Sequence, residues 1–261
     1  MTATQTKPAT PEQLKKLARA IDHTKLTFNA GENEEEAIQT LCAEAKEHGF
    51  YAVCVRPRHV DLALQELAES RVKVATVIGF PLEKVDLNAE RQNPTVGYFS
   101  TDEKIAETRQ AVADGADEFD LVLNVGLFKR EAAAGSDYPQ TTAELAAIVE
   151  AVDGCPVKVI IETDLLSEEE IEAVTRLCVQ AGAKMVKTST GMVSGGEGAT
   201  SLGVSIIWQT IDELEADTQI KASGGIKTQQ QAIGFLRQGV SRLGTSSGVS
   251  LIQTGQANTD Y

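Results

Sequence analysis

Two lysines, Lys187 and Lys221, close apolar segments in a way that would turn both toward the inside of a folded sheet. Lys187 lies in Lys184-Met185-Val186-Lys187-Thr188-Ser189-Thr190-Gly191, an apolar run that passes into a hydroxyl-rich turn. Period-two alternation groups Ala183, Met185 and Lys187 on one face and Lys184 and Val186 on the other. An inward lysine is unfavourable as an ammonium ion, because burial disfavours the charged form. The free amine that results is the form that attacks a carbonyl to make a Schiff base. A lysine that merely reaches solvent at a strand end is the plainer alternative. Lys221, in Ile220-Lys221-Ala222-Ser223-Gly224-Gly225, ends the next apolar run. Neighbouring strands lie about 4.8 Å apart, so two inward lysines at matching height repel and one amine loses its proton more easily.

Carboxylates that could move protons for such an amine occur at two places. In Asp117-Glu118-Phe119-Asp120-Leu121-Val122-Leu123-Asn124, alternation sets Asp120 with Val122 and Asn124 and opposes them to Phe119, Leu121 and Leu123. Asp120 is therefore expected inside, and Asp117 and Glu118 at a turn or on the surface. Asp22, in Ile21-Asp22-His23-Thr24, ends the first strand and could assist, or could equally be a turn residue. Cys54 shares a face with Ala52 and Arg56; it either points at the site or is a buried thiol. Glu162 ends the fifth strand as a proton-handling or ion-pairing group. His23, His48 and His59 are scattered, so no metal site is expected.

Small residues supply a third feature. Ser223-Gly224-Gly225 and Gly244-Thr245-Ser246-Ser247-Gly248 follow the last two strands, where backbone N–H groups can cradle an anion. Ser194-Gly195-Gly196-Glu197-Gly198 is read as a mobile linker.

These groups need a scaffold that gathers strand ends. Eight β-rich runs alternate with helical stretches: 20–23, 52–56, 73–80, 118–125, 157–163, 184–189, 219–222 and 242–244 are the expected strands. Helical patterns cover 34–48, 60–70, 101–114, 142–152, 168–181, 204–215 and 228–239, with Gly49, Gly115, Gly182 and Gly239 as stops. The expected fold is α/β, a single (β/α)8 TIM barrel spanning 1–261 as one domain, with catalytic groups at the carboxyl ends of the strands. An open doubly wound sheet is the alternative. Residues 1–13 read as a polar extension, 83–100 as an extended irregular loop near the active face, and 254–261 as a mobile tail.

Composition limits the partners. A formal charge of −14 opposes nucleic acid and anionic membranes, and 42% hydrophobic residues without a long apolar run oppose a membrane span. Cys42, Cys54, Cys155 and Cys178 are dispersed, without zinc-type or disulfide-framework spacing, and no secretory signal is evident at the start. A cytoplasmic protein with reduced thiols is expected. Its expected partners are a small aldehyde, a sugar phosphate and a second copy of itself in a dimer.

The chain resembles the deoxyribose-phosphate aldolase family over roughly 17–248. The resemblance is carried by Ile-Asp-His-Thr-Lys-Leu from Ile21, Val-Cys-Val-Arg-Pro from Val53, Val-Ile-Gly-Phe-Pro from Val77 and Gly-Ala-Asp-Glu-Phe-Asp from Gly115. It continues with Val-Lys-Val-Ile-Ile-Glu-Thr from Val157, Val-Lys-Thr-Ser-Thr-Gly from Val186, Lys-Ala-Ser-Gly-Gly-Ile from Lys221 and Gly-Thr-Ser-Ser from Gly244. It implies reversible aldol cleavage of 2-deoxy-D-ribose 5-phosphate to acetaldehyde and D-glyceraldehyde 3-phosphate, with neither metal nor organic cofactor. Lys187 falls on the Schiff-base position, Lys221 on the activating lysine and Asp120 on the proton relay. Gly191, Gly224, Gly225, Ser246 and Ser247 fall on phosphate-binding positions, and Asp22, Thr24, Cys54, Thr190 and Gly244 complete the expected substrate-binding set. The resemblance also suggests that Tyr261 shuttles a proton from the tail. Two departures stand out: 83–100 looks like an insertion, and Met192 stands where some relatives have lysine. A lysine aldolase with a ketone-phosphate donor and a noncatalytic sugar-phosphate sensor are the competing readings.

Overall fold

A computed structural model describes residues 9–255. Eight parallel strands close into a barrel: β1 (Ile21–Lys25), β2 (Ala52–Val55), β3 (Lys73–Ile78), β5 (Glu118–Val122), β6 (Val157–Ile160), β7 (Met185–Lys187), β9 (Gln219–Ser223) and β10 (Arg242–Thr245). Two further strands, β4 (Val85–Asp86) and β8 (Val193–Ser194), pair only with each other. The helices are α1 (Pro11–Ala18), α2 (Glu34–His48), α3 (Val60–Glu66), α4 (Leu87–Gln92), α5 (Thr101–Ala113), α6 (Val125–Ala133), α7 (Pro139–Ala151), α8 (Glu168–Gln180), α9 (Ser201–Glu213), α10 (Gln229–Arg237) and α11 (Gly248–Gln253). Strand and helix alternate because short β-branched runs must cover both faces, one against the barrel interior and one against the helices.

Local signals set many of the boundaries. Ser100 and Ser167 each accept a hydrogen bond from the N–H of the third helical residue, Glu103 and Glu170, whose carboxylates bond back to the capping residue. Gly49, Gly115, Gly182 and Gly239 all have positive φ after their helices, as expected of stops. Strand 1 runs two residues further than expected, to Lys25, because β2 continues to pair with it there. The polar start is shorter than expected too, since Pro11 opens α1 behind a Thr10 cap. Of the expected 254–261 tail, only Thr254 and Gly255 lie among the described residues, and the N–H of each donates to Ser250 O.

Two segments depart more strongly. Helix α6 was not foreseen: β5 stops at Val122, and the side chain of Asn124 caps a helix by accepting from Leu127 N at 3.0 Å. The 83–100 segment is not an irregular loop but a strap containing β4 and α4. Buried Glu90 gathers its far end, accepting the N–H groups of Thr95 and Val96 at 2.7 and 3.0 Å. Gly97, at φ +70°, packs so closely that a Cβ would stand 2.0 Å from the Leu123 carbonyl oxygen, so no other residue fits without moving the strap.

Behind β5, a buried ion pair between Lys104 and Glu144 at 2.8 Å joins α5 to α7, and the Lys104 ammonium also donates to Val122 O at 2.9 Å. These contacts hold the strand that carries Asp120.

Candidate active site

The expected neighbours are neighbours. Lys187 and Lys221 are direct partners in the β7–β9 register, and both side-chain nitrogens touch one oxygen, Oδ2 of Asp120, at 2.8 and 2.7 Å. Asp120 is fully buried with its side chain inside the barrel, while Phe119 and Leu121 pack in the hydrophobic core.

The interior also holds groups that the sequence reading did not assign. Lys158, on β6, is fully buried and contacts Asp120 Oδ1 and Glu118 at 2.8 Å each, with Asp22 at 3.6 Å. Arg242, on β10, donates to Asp22 at 2.8 Å and to Glu118 at 2.9 Å, and its guanidinium lies 3.4 Å from the centre of the Tyr51 ring. Glu118 is therefore not a turn or surface residue. It is 4% exposed and begins β5, two residues before Asp120 and on the same face. Asp22 is not on the cavity wall either: it lies beneath, bonded to Lys221 at 2.5 Å and to Arg242. The available signal for Lys158 was a lone charge in the apolar run Val157–Ile160, on the same face as Ile160 and Glu162.

Charge balance distinguishes the two lysines. With Lys187 uncharged, Lys158, Lys221 and Arg242 offset Asp22, Glu118 and Asp120 one for one. Protonating Lys187 adds an unbalanced charge to a side chain only 4% exposed. The pKa directions agree. Burial is the largest influence on Lys187 and lowers it; Asp120 opposes this and Lys221 reinforces it. Burial also pushes Lys221 down, but Asp120 and Asp22 together outweigh it and raise that lysine above its ordinary value. Lys158 is raised as well, its three carboxylate partners overcoming burial. Asp120 is held well below the usual carboxylate range: burial raises it, and Lys158, Lys187 and Lys221 more than compensate. The neighbouring cation at 221 is thus a secondary influence on Lys187, and burial is the main one.

Above this network opens a cavity of about 750 Å³. Lys187 reaches it from below, and Thr24, Thr190, Gly191, Gly224, Gly225, Gly244, Ser246 and Ser247 line it. Among the described residues, the wall also carries Lys25, Lys84 and Lys227 and no carboxylate side chain, a local reversal in a chain of net charge −14. Gly225 is required by packing: a Cβ there would lie 2.3 Å from Glu197 O, where the two loops meet. Cys54 is not on the wall. It is fully buried, and burial, with Asp120 adding to it, raises its pKa and keeps it a thiol. Tyr261 lies outside the described residues.

The 194–198 segment is not a mobile linker. Ser194 pairs with Asp86, and the Asp164 carboxylate accepts from Glu197 N and Gly198 N at 2.8 and 2.9 Å. Glu162 anchors the adjacent turn from below, accepting Thr190 Oγ1–H at 2.5 Å, with its backbone at φ +58°. Burial is the main reason its pKa rises, to about 7. Between its ordinary 4.5 and about 7 the folded protein keeps a proton that the unfolded chain has released, so this group's contribution to stability is full below 4.5 and declines as pH rises through about 7. Glu162→Gln is expected to flatten that slope, read from urea midpoints between pH 4.5 and 8; an unchanged slope would show that Glu162 titrates normally.

A family model described as DeoC/LacD family aldolase matches residues 16–252. The chain belongs to the DeoC/LacD aldolase family. Deoxyribose-phosphate aldolase 1 of Bacillus licheniformis is 42% identical to this DeoC/LacD aldolase over 248 residues, which is 95% of this chain and 99% of that protein. The crystal structure of a putative deoxyribose-phosphate aldolase from Coccidioides immitis superposes with a TM-score of 0.79 at 36% identity, covering 95% of this chain and 88% of that one. Deoxyribose phosphate aldolase from Aeropyrum pernix, described as having a unique tetrameric structure, is similar at a TM-score of 0.74 and 26% identity, covering 95% of this chain and 98% of that one.

Proposed function

We propose that this aldolase reversibly cleaves 2-deoxy-D-ribose 5-phosphate to acetaldehyde and D-glyceraldehyde 3-phosphate through an imine on Lys187. The supporting observation is the pairing of a depressed, cavity-facing amine with a charged lysine on one carboxylate, beneath a wall that is rich in lysine and, among the described residues, free of acid. The open-chain aldehyde is attacked by the Lys187 amine, and the carbinolamine loses water to give the iminium ion. Deprotonation of the hydroxyl on C3 breaks the C2–C3 bond; glyceraldehyde phosphate leaves and C2 remains as an enamine. Protonation of that carbon and hydrolysis release acetaldehyde and the free lysine. Asp120 and Lys221 relay the protons, the carboxylate accepting and the ammonium donating within one hydrogen-bonded set.

The phosphate end rests against the backbone of Gly191, Gly224, Gly225, Gly244, Ser246 and Ser247, with Lys227 adjacent. In this reading Lys187 is the nucleophile, Asp120 the base and Lys221 the acid. A cytoplasmic setting fits the four free cysteines, and among the described residues no helix is long and apolar enough to cross a membrane. A homo-oligomer, a dimer in the simplest case, is part of the same reading; Leu82, Tyr98 and Trp208 leave 76%, 66% and 46% of their surface exposed. Light scattering reads the assembly directly.

The decisive experiment is borohydride trapping with acetaldehyde, followed by peptide mapping. A reduced two-carbon adduct on Lys187 is expected; an unmodified protein, or an adduct on another residue, would refute the assignment. A donor screen separates acetaldehyde from dihydroxyacetone phosphate.

A further inference from the structure

The strap at 83–100 has a chemical consequence for the cavity that it borders. The loop after β7 reaches the cavity with neutral side chains alone, Thr190, Met192, Val193 and Ser194, and Met192 is 4% exposed. A phosphate dianion lying against that loop would find no cation on it. The parallel pairing of β4 with β8 changes this. Val85 is the register partner of Val193, and Val85 N donates to Met192 O at 3.0 Å. One step back along the pair, Lys84 stands beside Met192 at about the inter-strand spacing of 4.8 Å. Lys84 is exposed and lines the cavity.

The base of Lys84 is held from both sides. Arg56 donates to Phe80 O at 3.4 Å and to Pro81 O at 2.7 Å, fixing the chain just before it. After it, the Asp86 carboxylate accepts from Asn88 N and Ala89 N at 3.0 Å each and is thereby turned toward α4. Further on, Glu90 and the close approach of Gly97 to Leu123 secure the strap. A cation on an anchored strand loses less freedom on meeting an anion than one on a free loop.

The other rim cations are differently disposed. Lys25 is committed to Glu32 at 2.6 Å. Lys227 is carried by the loop after β9, two residues beyond Gly225, and not by the β7 loop itself. Among the described residues, Lys84 makes no side-chain ion pair.

We propose that Lys84, delivered across the β4–β8 pair to the neutral side of the cavity, is a specificity-determining residue that binds the substrate phosphate. This deepens the deoxyribose 5-phosphate reading and rests on it for the identity of the substrate. Lys84 takes no part in imine formation, so it acts on KM for the phosphorylated substrate and leaves kcat and the turnover of unphosphorylated deoxyribose alone.

The test compares the full-length protein with Lys84→Met and Lys84→Arg, assaying deoxyribose 5-phosphate and deoxyribose separately and titrating inorganic phosphate by calorimetry. Lys84→Met should raise KM for the phosphate ester about tenfold, as expected for one lost charge-assisted contact, with deoxyribose turnover unchanged. Lys84→Arg should restore most of the loss. Inorganic phosphate should bind Lys84→Met correspondingly more weakly. If Lys84→Met leaves both the substrate preference and phosphate affinity within twofold of the parent, the proposal is overturned. If the parent does not cleave deoxyribose 5-phosphate yet loses phosphate affinity in Lys84→Met, the cation's role stands and the substrate reading fails.

Discussion

Lys187→Met is expected to lower kcat/KM by roughly 10⁴- to 10⁶-fold, the range for removing a nucleophile while the rest of a site remains, and to abolish borohydride trapping. The same substitution should leave the protein at least as stable as its parent. Asp120 keeps Lys158 at 2.8 Å and Lys221 at 2.7 Å, and the remaining cations and anions of the network stay matched. An amine that burial disfavours as an ammonium ion is replaced by an apolar chain of similar length, a change that is often neutral or stabilising. Thermal melting beside activity checks both halves. Residual activity above about one per cent would remove Lys187 as nucleophile, since residual rates after such a loss are orders of magnitude lower.

The second large effect concerns a residue that touches no substrate in the proposed chemistry. Lys158→Met removes the partner of Asp120 Oδ1 and one of the partners of Glu118, both buried. Breaking a buried ion pair from one side leaves an uncompensated charge, at about 3–5 kcal/mol. For a chain of this size that corresponds to a fall in Tm of roughly 10 °C. Catalysis should also change, in a direction fixed by charge. With Lys158 gone, Asp22, Glu118 and Asp120 exceed Lys221 and Arg242, so the network favours a proton on Lys187. The pKa of Lys187 should rise, and the acid limb of kcat/KM should move to higher pH, because only the free amine attacks. In the parent, that limb reflects a lysine lowered chiefly by burial. A variant with the parental Tm and pH profile would show that Lys158 does not set the charge of the site.

Some of the arrangement was legible because its signals are local. Alternation along 118–124 sends Asp120 inward, and the same rule selects Lys187 over Lys184, whose ammonium lies at the surface 3.2 Å from Asp217. Glycines at 49, 115, 182 and 239 mark helix ends because positive φ is a property of single residues. Glu118 was misplaced because a carboxylate at the start of a strand looks solvated until its partners are known. Those partners are Lys158, forty residues later, and Arg242 from the last strand of the barrel. Desolvation argues against a lone charge in a core, so only knowledge of the closing strands makes three carboxylates there acceptable. The strap is illegible for a related reason. Val85-Asp86 is too short to read as a strand by itself, and exists as one because Val193-Ser194 passes beside it.

Residue type and spacing within a few positions suffice for the alternation of strands and helices, the inward pair at 187 and 221, and the small-residue loops at 223–225 and 244–248. The proton inventory beneath the cavity and the lysines around its mouth follow from barrel closure instead. Protonation in a buried cluster depends on every charge within a few ångströms, and barrel closure brings those charges together from strands up to 220 positions apart in the chain.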